Sequence, residues 1–105
     1  MLESEIEKRL VREIRRAGGM AYKFVSPGNT GVPDRIVILP GEIIFVELKT
    51  ETGRLSQAQT RQIKKLRSLG MRVEVLRGLK EVEEFLNEIR AARLSENSIR
   101  LDHDA

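Results

Sequence analysis

Cysteine is absent from this sequence, which excludes disulfides and thiolate metal sites and makes a reducing, cytoplasmic setting the simplest expectation. Histidine occurs once, at His103, in a polar stretch near the end of the chain, so histidine-based hydrolysis and imidazole zinc sites are excluded as well. No apolar run approaches the ~20 residues needed to cross a bilayer, and the N-terminus lacks the pattern of a signal peptide, so no membrane partner is expected. Internal repeats and low-complexity segments are also missing.

What is present suits one globular domain. The 105 residues are 40% apolar and 33% charged, a balance that folds rather than stays disordered. A chain of this length buries roughly 65% of its unfolded surface, enough to fold alone with little stability to spare. The net charge is +3, unevenly spread. Leu94 to Ala105 hold Glu96, Asp102 and Asp104 against Arg100 alone; setting them aside takes 19 basic residues to 18 and 16 acidic to 13, leaving +5 on the rest. That excess suits a nucleic-acid partner, although many ordinary domains share it.

Periodicity predicts the order α-β-β-β-α-β-α, a mixed sheet flanked by helices. Residues 3–17 place Ile6, Leu10, Val11, Ile14 and Ala17 at helical spacing, and Gly18-Gly19 stops the run. Strands are expected over 20–25, 35–39, 43–49 and 71–76, the second and third forming a hairpin through "PGE". Both hairpin strands are apolar on both faces, as in central strands covered on each side. Ser56 is a plausible N-cap for a helix over 57–69, and 80–93 reads as an amphipathic closing helix with Val82, Phe85, Leu86 and Ile89 inward. The domain is therefore set at 1–93, with a polar, flexible tail over 94–105.

Two of the apolar strands carry acids where burial disfavours them. Asp34 leads into one and Glu47 sits inside the other, with Lys49 two residues on and so on the same face. A hairpin brings Asp34 and Glu47 within ~5–8 Å, where two carboxylates repel and desolvation raises the cost of each. A divalent cation, Mg²⁺ or Mn²⁺, relieves this, and the Leu48 carbonyl between the two side chains could add a ligand. Lys49 would then orient the attacking water. A surface ion pair on an exposed strand reads the same in isolation, but this strand is otherwise apolar on both sides. On the first helix Glu7 falls within the apolar stripe, Glu3 lies on it one turn earlier, and Glu5 and Glu13 lie at or beyond its edge. Glu7 is either a third metal acid or a glutamate snorkelling at the helix end.

The stretch "YKFVSPGNTGVPDRIVILPGEIIFVELKTETGRLSQAQ", with the helix before it and "LRSLGMRVEVL" after it, resembles the VRR-Nuc family, the virus-type replication-repair branch of the PD-(D/E)XK nucleases. The anchors are Gly31-Val32-Pro33-Asp34, Glu47-Leu48-Lys49, and Leu55-Ser56 followed by Gln59. The resemblance implies a restriction-endonuclease-like core, α-β-β-β-α-β with a C-terminal helix. It implies that Glu7, Asp34 and Glu47 hold the metal, that Lys49 assists the water, and that Gln59, or alternatively Gln57, serves the site. It further implies hydrolysis of DNA to 5′-phosphate and 3′-hydroxyl ends, a preference for branched DNA, and likeness to Holliday-junction resolvases of phages. Lys23, Ser26, Asn29, Thr30 and Arg35 are candidate phosphate contacts, with turn chemistry as the plainer account of the loop residues. Arg61, Lys64, Lys65 and Arg67 read as a solvated helix face. A homodimer is expected, since one chain carries one site and a four-way junction needs two cuts. A catalytically silent binding module, a flap or general nickase and a structural subunit of a replication assembly are the rival readings.

Overall fold

A computed structural model describes residues 2–104, with side chains through residue 95. The elements are α1 (Glu3–Arg16), β1 (Met20–Lys23), β2 (Arg35–Leu39), β3 (Glu42–Lys49), α2 (Gln57–Ser68), β4 (Arg72–Arg77) and α3 (Gly78–Asp104). The sheet order is β1-β2-β3-β4: the first three strands run antiparallel, and β3 pairs with β4 in parallel through the α2 crossover. The architecture is therefore the α/β mixed sheet expected from the sequence.

α1 and α3 cover one face of this sheet. Leu10 and Ile14 from α1, and Val82, Phe85, Leu86 and Ile89 from α3, meet Val37, Ile44, Val46, Leu48 and Leu76 in one buried cluster. These strand residues alternate with others that face α2, as the two-residue period requires. α1 is cross-linked to α3 by ion pairs, Arg9 with Glu83 and Arg90 with Glu13.

Three details differ from the sequence expectation. β1 ends at Lys23 rather than Val25, because Pro27 and Gly28 turn the chain away after one last bond from Phe24 N–H to the Asp34 carbonyl (2.8 Å). The closing helix starts at Gly78 and stays helical to Asp104, well past Arg93, since no glycine or proline interrupts residues 79–104. His103 and the other side chains beyond residue 95 lie outside the described residues. The outer face of the sheet is also only partly covered. α2 packs against β4, leaving Ile43 50% exposed, with Met20 and Met71 exposed beside it.

Candidate active site

Two local rules bring the acids together. The β2–β3 hairpin turns on Pro40 and Gly41, the latter at φ 74°, which pairs Leu39 with Glu42. Counting back along the ladder, the last pair is Arg35 with Val46, so Asp34 stands opposite Glu47. Gly31, at φ 92°, then lets the preceding loop press on α2: a Cβ there would lie 2.5 Å from the Ala58 carbonyl carbon and 2.7 Å from the Gln59 nitrogen. The "GVPD" segment thus packs against the start of α2 at Gly31 and delivers Asp34 to the edge of β3.

Glu47 is the one buried charged residue among the described side chains, only 2% exposed. Its Oε2 accepts a hydrogen bond from Gln59 Nε2 (3.2 Å) and lies 3.6 Å from Lys49 Nζ. Its Oε1 is buried and has no hydrogen-bond partner. Burial, and then the neighbouring Asp34 carboxylate, push the Glu47 carboxyl up to about 7 against the opposing pull of Lys49. Asp34 is exposed and accepts from the Leu48 N–H through Oδ2 (3.0 Å). A cavity of ≈ 340 Å³ opens beside Asp34, lined by Glu3, Ser4, Glu7, Lys23, Asp34 and Leu48; the buried Glu47 is not in its wall.

Gln59 has two tasks. Its Oε1 accepts from Ser56 N–H (2.8 Å) while Ser56 Oγ accepts from Gln59 N–H (3.1 Å), a capping box that starts α2. The same amide donates to Glu47, so the helix cap and the acid are held as one unit. Gln57 is exposed instead.

Glu7 reaches the cavity from α1, half-buried, with Glu5 exposed. Its Oε1 accepts from Arg35 Nη2 (2.6 Å) and Nε (3.1 Å), and Arg35 also donates to the Ala21 carbonyl (3.2 Å). Among the described residues no three acidic or imidazole side chains come close enough together to hold a metal; Glu7 shares the cavity wall with Asp34 and does not complete a cluster with Asp34 and Glu47. Lys23 lines the cavity. Ser26 and Asn29 bond each other, Nδ2 to Oγ at 3.0 Å, as turn residues do, and Thr30 is exposed. On α2, Arg61, Lys64 and Lys65 are exposed, while Arg67 donates to the Val73 carbonyl (2.7 Å). Glu3 and Ser4 as cavity walls, the Leu48 N–H as anchor of Asp34 and the Arg35 clamp on Glu7 escaped the sequence reading. Hairpin counting from Pro40-Gly41 would have exposed the second.

The sequence matches the VRR-NUC domain over residues 2–80. The chain belongs to the VRR-NUC family. It is 55% identical over 75 residues to p44 of Acyrthosiphon pisum secondary endosymbiont phage 1, a protein named as a candidate nuclease; the match covers 70% of this chain and 81% of the relative. A solved VRR-NUC domain superposes with a TM-score of 0.76 at 32% identity, covering 81% of this chain and 94% of the other. Hjc of Archaeoglobus fulgidus, a Holliday junction resolvase, shares the fold at a TM-score of 0.51 and 23% identity, over 68% of this chain and 65% of Hjc. Within the VRR-NUC fold, the acid pair lies at the open end of the β2–β3 hairpin.

Proposed function

We propose that this VRR-NUC protein is a divalent-cation-dependent, structure-selective DNA endonuclease that resolves Holliday junctions. The observation that carries the reading is the buried Glu47 carboxylate, with one oxygen unpartnered and Asp34 and Lys49 beside it. A structural ion pair satisfies both oxygens; a ligand site leaves one available.

The residues fit Mg²⁺ or Mn²⁺. Two carboxylates and one backbone carbonyl are hard oxygen donors, and Mg²⁺ characteristically keeps several waters beyond one or two carboxylates. Asp34 and Glu47 would hold the ion, with the Leu48 carbonyl, which in an extended strand points to the same side as the N–H that binds Asp34. Glu7 would act from the cavity wall. A bound cation there lowers the pKa of water and neutralises charge on the scissile phosphate. Lys49 orients the attacking water and stabilises charge growing on the phosphate oxygens. Gln59 fixes the Glu47 carboxylate. The water oxygen bonds to phosphorus as the bond from phosphorus to the 3′-oxygen breaks, leaving 5′-phosphate and 3′-hydroxyl ends. The phage relative supports work in the cytoplasm of a bacterial or phage-infected cell.

Incubating the protein and Mg²⁺ with flap, fork, four-way junction and linear duplex tests the substrate class. The four-way junction should be cut fastest, by paired nicks; a preference for flaps would turn the reading toward a nickase, and no cleavage of any substrate toward a silent binder. Glu7→Gln should lower activity at least tenfold with little change in melting, whereas Glu5→Gln should leave activity intact. The reverse order would move the helix-borne role to Glu5.

The working unit in this reading is a homodimer. One chain carries one acid pair, and a two-fold substrate matches a two-fold enzyme. The half-covered outer face around Ile43 is the contact surface, about 13 Å down the strand from Glu47, so both sites stay open. Light scattering should give a dimer for the wild type and a monomer for Ile43→Glu. A wild type that stays monomeric, free and on the junction, overturns the dimer.

A further inference from the structure

Several arginines of this protein are neutralised by glutamates. Arg9 pairs with Glu83, Arg16 with Glu13, Arg35 with Glu7, Arg90 with Glu13, and Arg72 with three glutamates at once. Lys8, Arg12 and Arg15 on α1 are all exposed and no described carboxylate pairs with any of them, a state they share with Arg61, Lys64 and Lys65 on α2. What sets the α1 cations apart is their place beside the cavity at Asp34. Their spacing, four and then three residues, stacks them along one stripe of the helix. Like charges at that spacing destabilise a helix by a few tenths of a kcal/mol per pair.

The stripe forms one wall of a groove. Lys8, Arg12, Arg15 and Val11 line it with Arg35, and at its near end it shares Ser4 and Glu7 with the cavity above Asp34. The groove and the cavity at Asp34 therefore adjoin, with Ser4 and Glu7 as their common wall. From Lys8 to Arg15 the helix rises ~10 Å, the axial length of about three nucleotides of one strand.

We propose that this α1 groove is the track for the sugar-phosphate backbone of the DNA strand whose phosphate is cut at Asp34 and Glu47. Lys8, Arg12 and Arg15 meet successive phosphates, and the strand leaves the cavity over Ser4 and Glu7. The inference rests on the nuclease reading for its substrate and goes beyond it in assigning the bound path to α1 rather than to α2, whose basic residues lie away from the cavity. Contacts of this kind position the substrate and carry no base preference.

Binding of a fluorescein-labelled four-way junction to the full chain, followed by anisotropy in EDTA from 50 to 300 mM NaCl (roughly the range in which counterion release dominates), tests the track without relying on cleavage. Arg12→Gln with Arg15→Gln should weaken binding about 10- to 100-fold and reduce the slope of log affinity against log salt by about 2. Helix content should be unchanged. The matched pair Arg61→Gln with Lys64→Gln on α2 should leave both quantities as in the wild type. An unchanged slope in the α1 pair, or an equal loss in the α2 pair, overturns the track. The nuclease reading fails separately: a wild type that binds through α1 but never cuts in Mg²⁺ keeps the groove and loses the enzyme.

Discussion

Glu47→Gln should cut a four-way junction about a thousandfold more slowly than the wild type, yet melt higher than it in EDTA at pH 8. The loss follows from removing a charged metal ligand, which supplies several kcal/mol of charge stabilisation in phosphodiester hydrolysis. The gain follows from burial. Glu47 is 2% exposed, and its carboxyl is pushed up to about 7 from an ordinary 4.5. The metal-free fold therefore carries a strained anion at pH 8, and the amide keeps the shape without the charge. A shift of that size corresponds to about 3 kcal/mol at most, which in a domain of this length is an increase of up to about 15 °C in melting temperature. At pH 4.5 the wild-type carboxyl is protonated and the difference should nearly vanish. A mutant that melts lower than the wild type at pH 8 would mean that the Lys49 and Gln59 bonds outweigh the burial, making Glu47 a structural residue.

Mg²⁺ should act on the same group from the other side. Because the folded-state pKa is raised, the contribution of Glu47 to stability is fully present below about 4.5 and is lost as pH rises through about 7. Metal-free protein should thus melt progressively lower from pH 5 to pH 8. Millimolar Mg²⁺ or Mn²⁺ should restore the loss at pH 8 and do little at pH 5, where the proton competes for the same oxygens. A cation at ten times its Kd stabilises by about 1.4 kcal/mol. Ca²⁺ should raise the melting temperature without supporting cleavage, since it takes a larger and looser shell. Melting curves that coincide in EDTA and Mg²⁺ across this pH range would count against any cation site.

Much of this arrangement was legible in the sequence, for identifiable reasons. Helices and strands have distinct apolar periods, so the element order and the core of α1 and α3 followed from residues such as Leu10, Ile14, Val82 and Phe85. A glutamate inside "IIFVELK" stood out because β3 is buried on both sides at that point. What escaped depends on contacts between elements. The sequence marks Arg35 only as a candidate phosphate contact; its bonds to Glu7 on α1 and to the Ala21 carbonyl on β1 depend on how those elements pack and were not legible. The exposed outer face around Ile43 was hidden because an apolar strand residue reads alike whether or not a helix lies over it. The cation stripe of Lys8, Arg12 and Arg15 went unread, because its place beside the cavity depends on how α1 packs on the sheet.

A time course on an end-labelled four-way junction, run with wild type in Mg²⁺, wild type in EDTA and Asp34→Asn in Mg²⁺, tests the centre directly. Asp34 is exposed and opposite Glu47, so Asn preserves the fold and the hydrogen bond from Leu48 while removing one charged ligand. Symmetrical nicks should appear only in the first reaction, bearing 5′-phosphates that a ligase can reseal. Equal cleavage in EDTA, or by Asp34→Asn, would contradict a metal-dependent site built on Asp34 and Glu47.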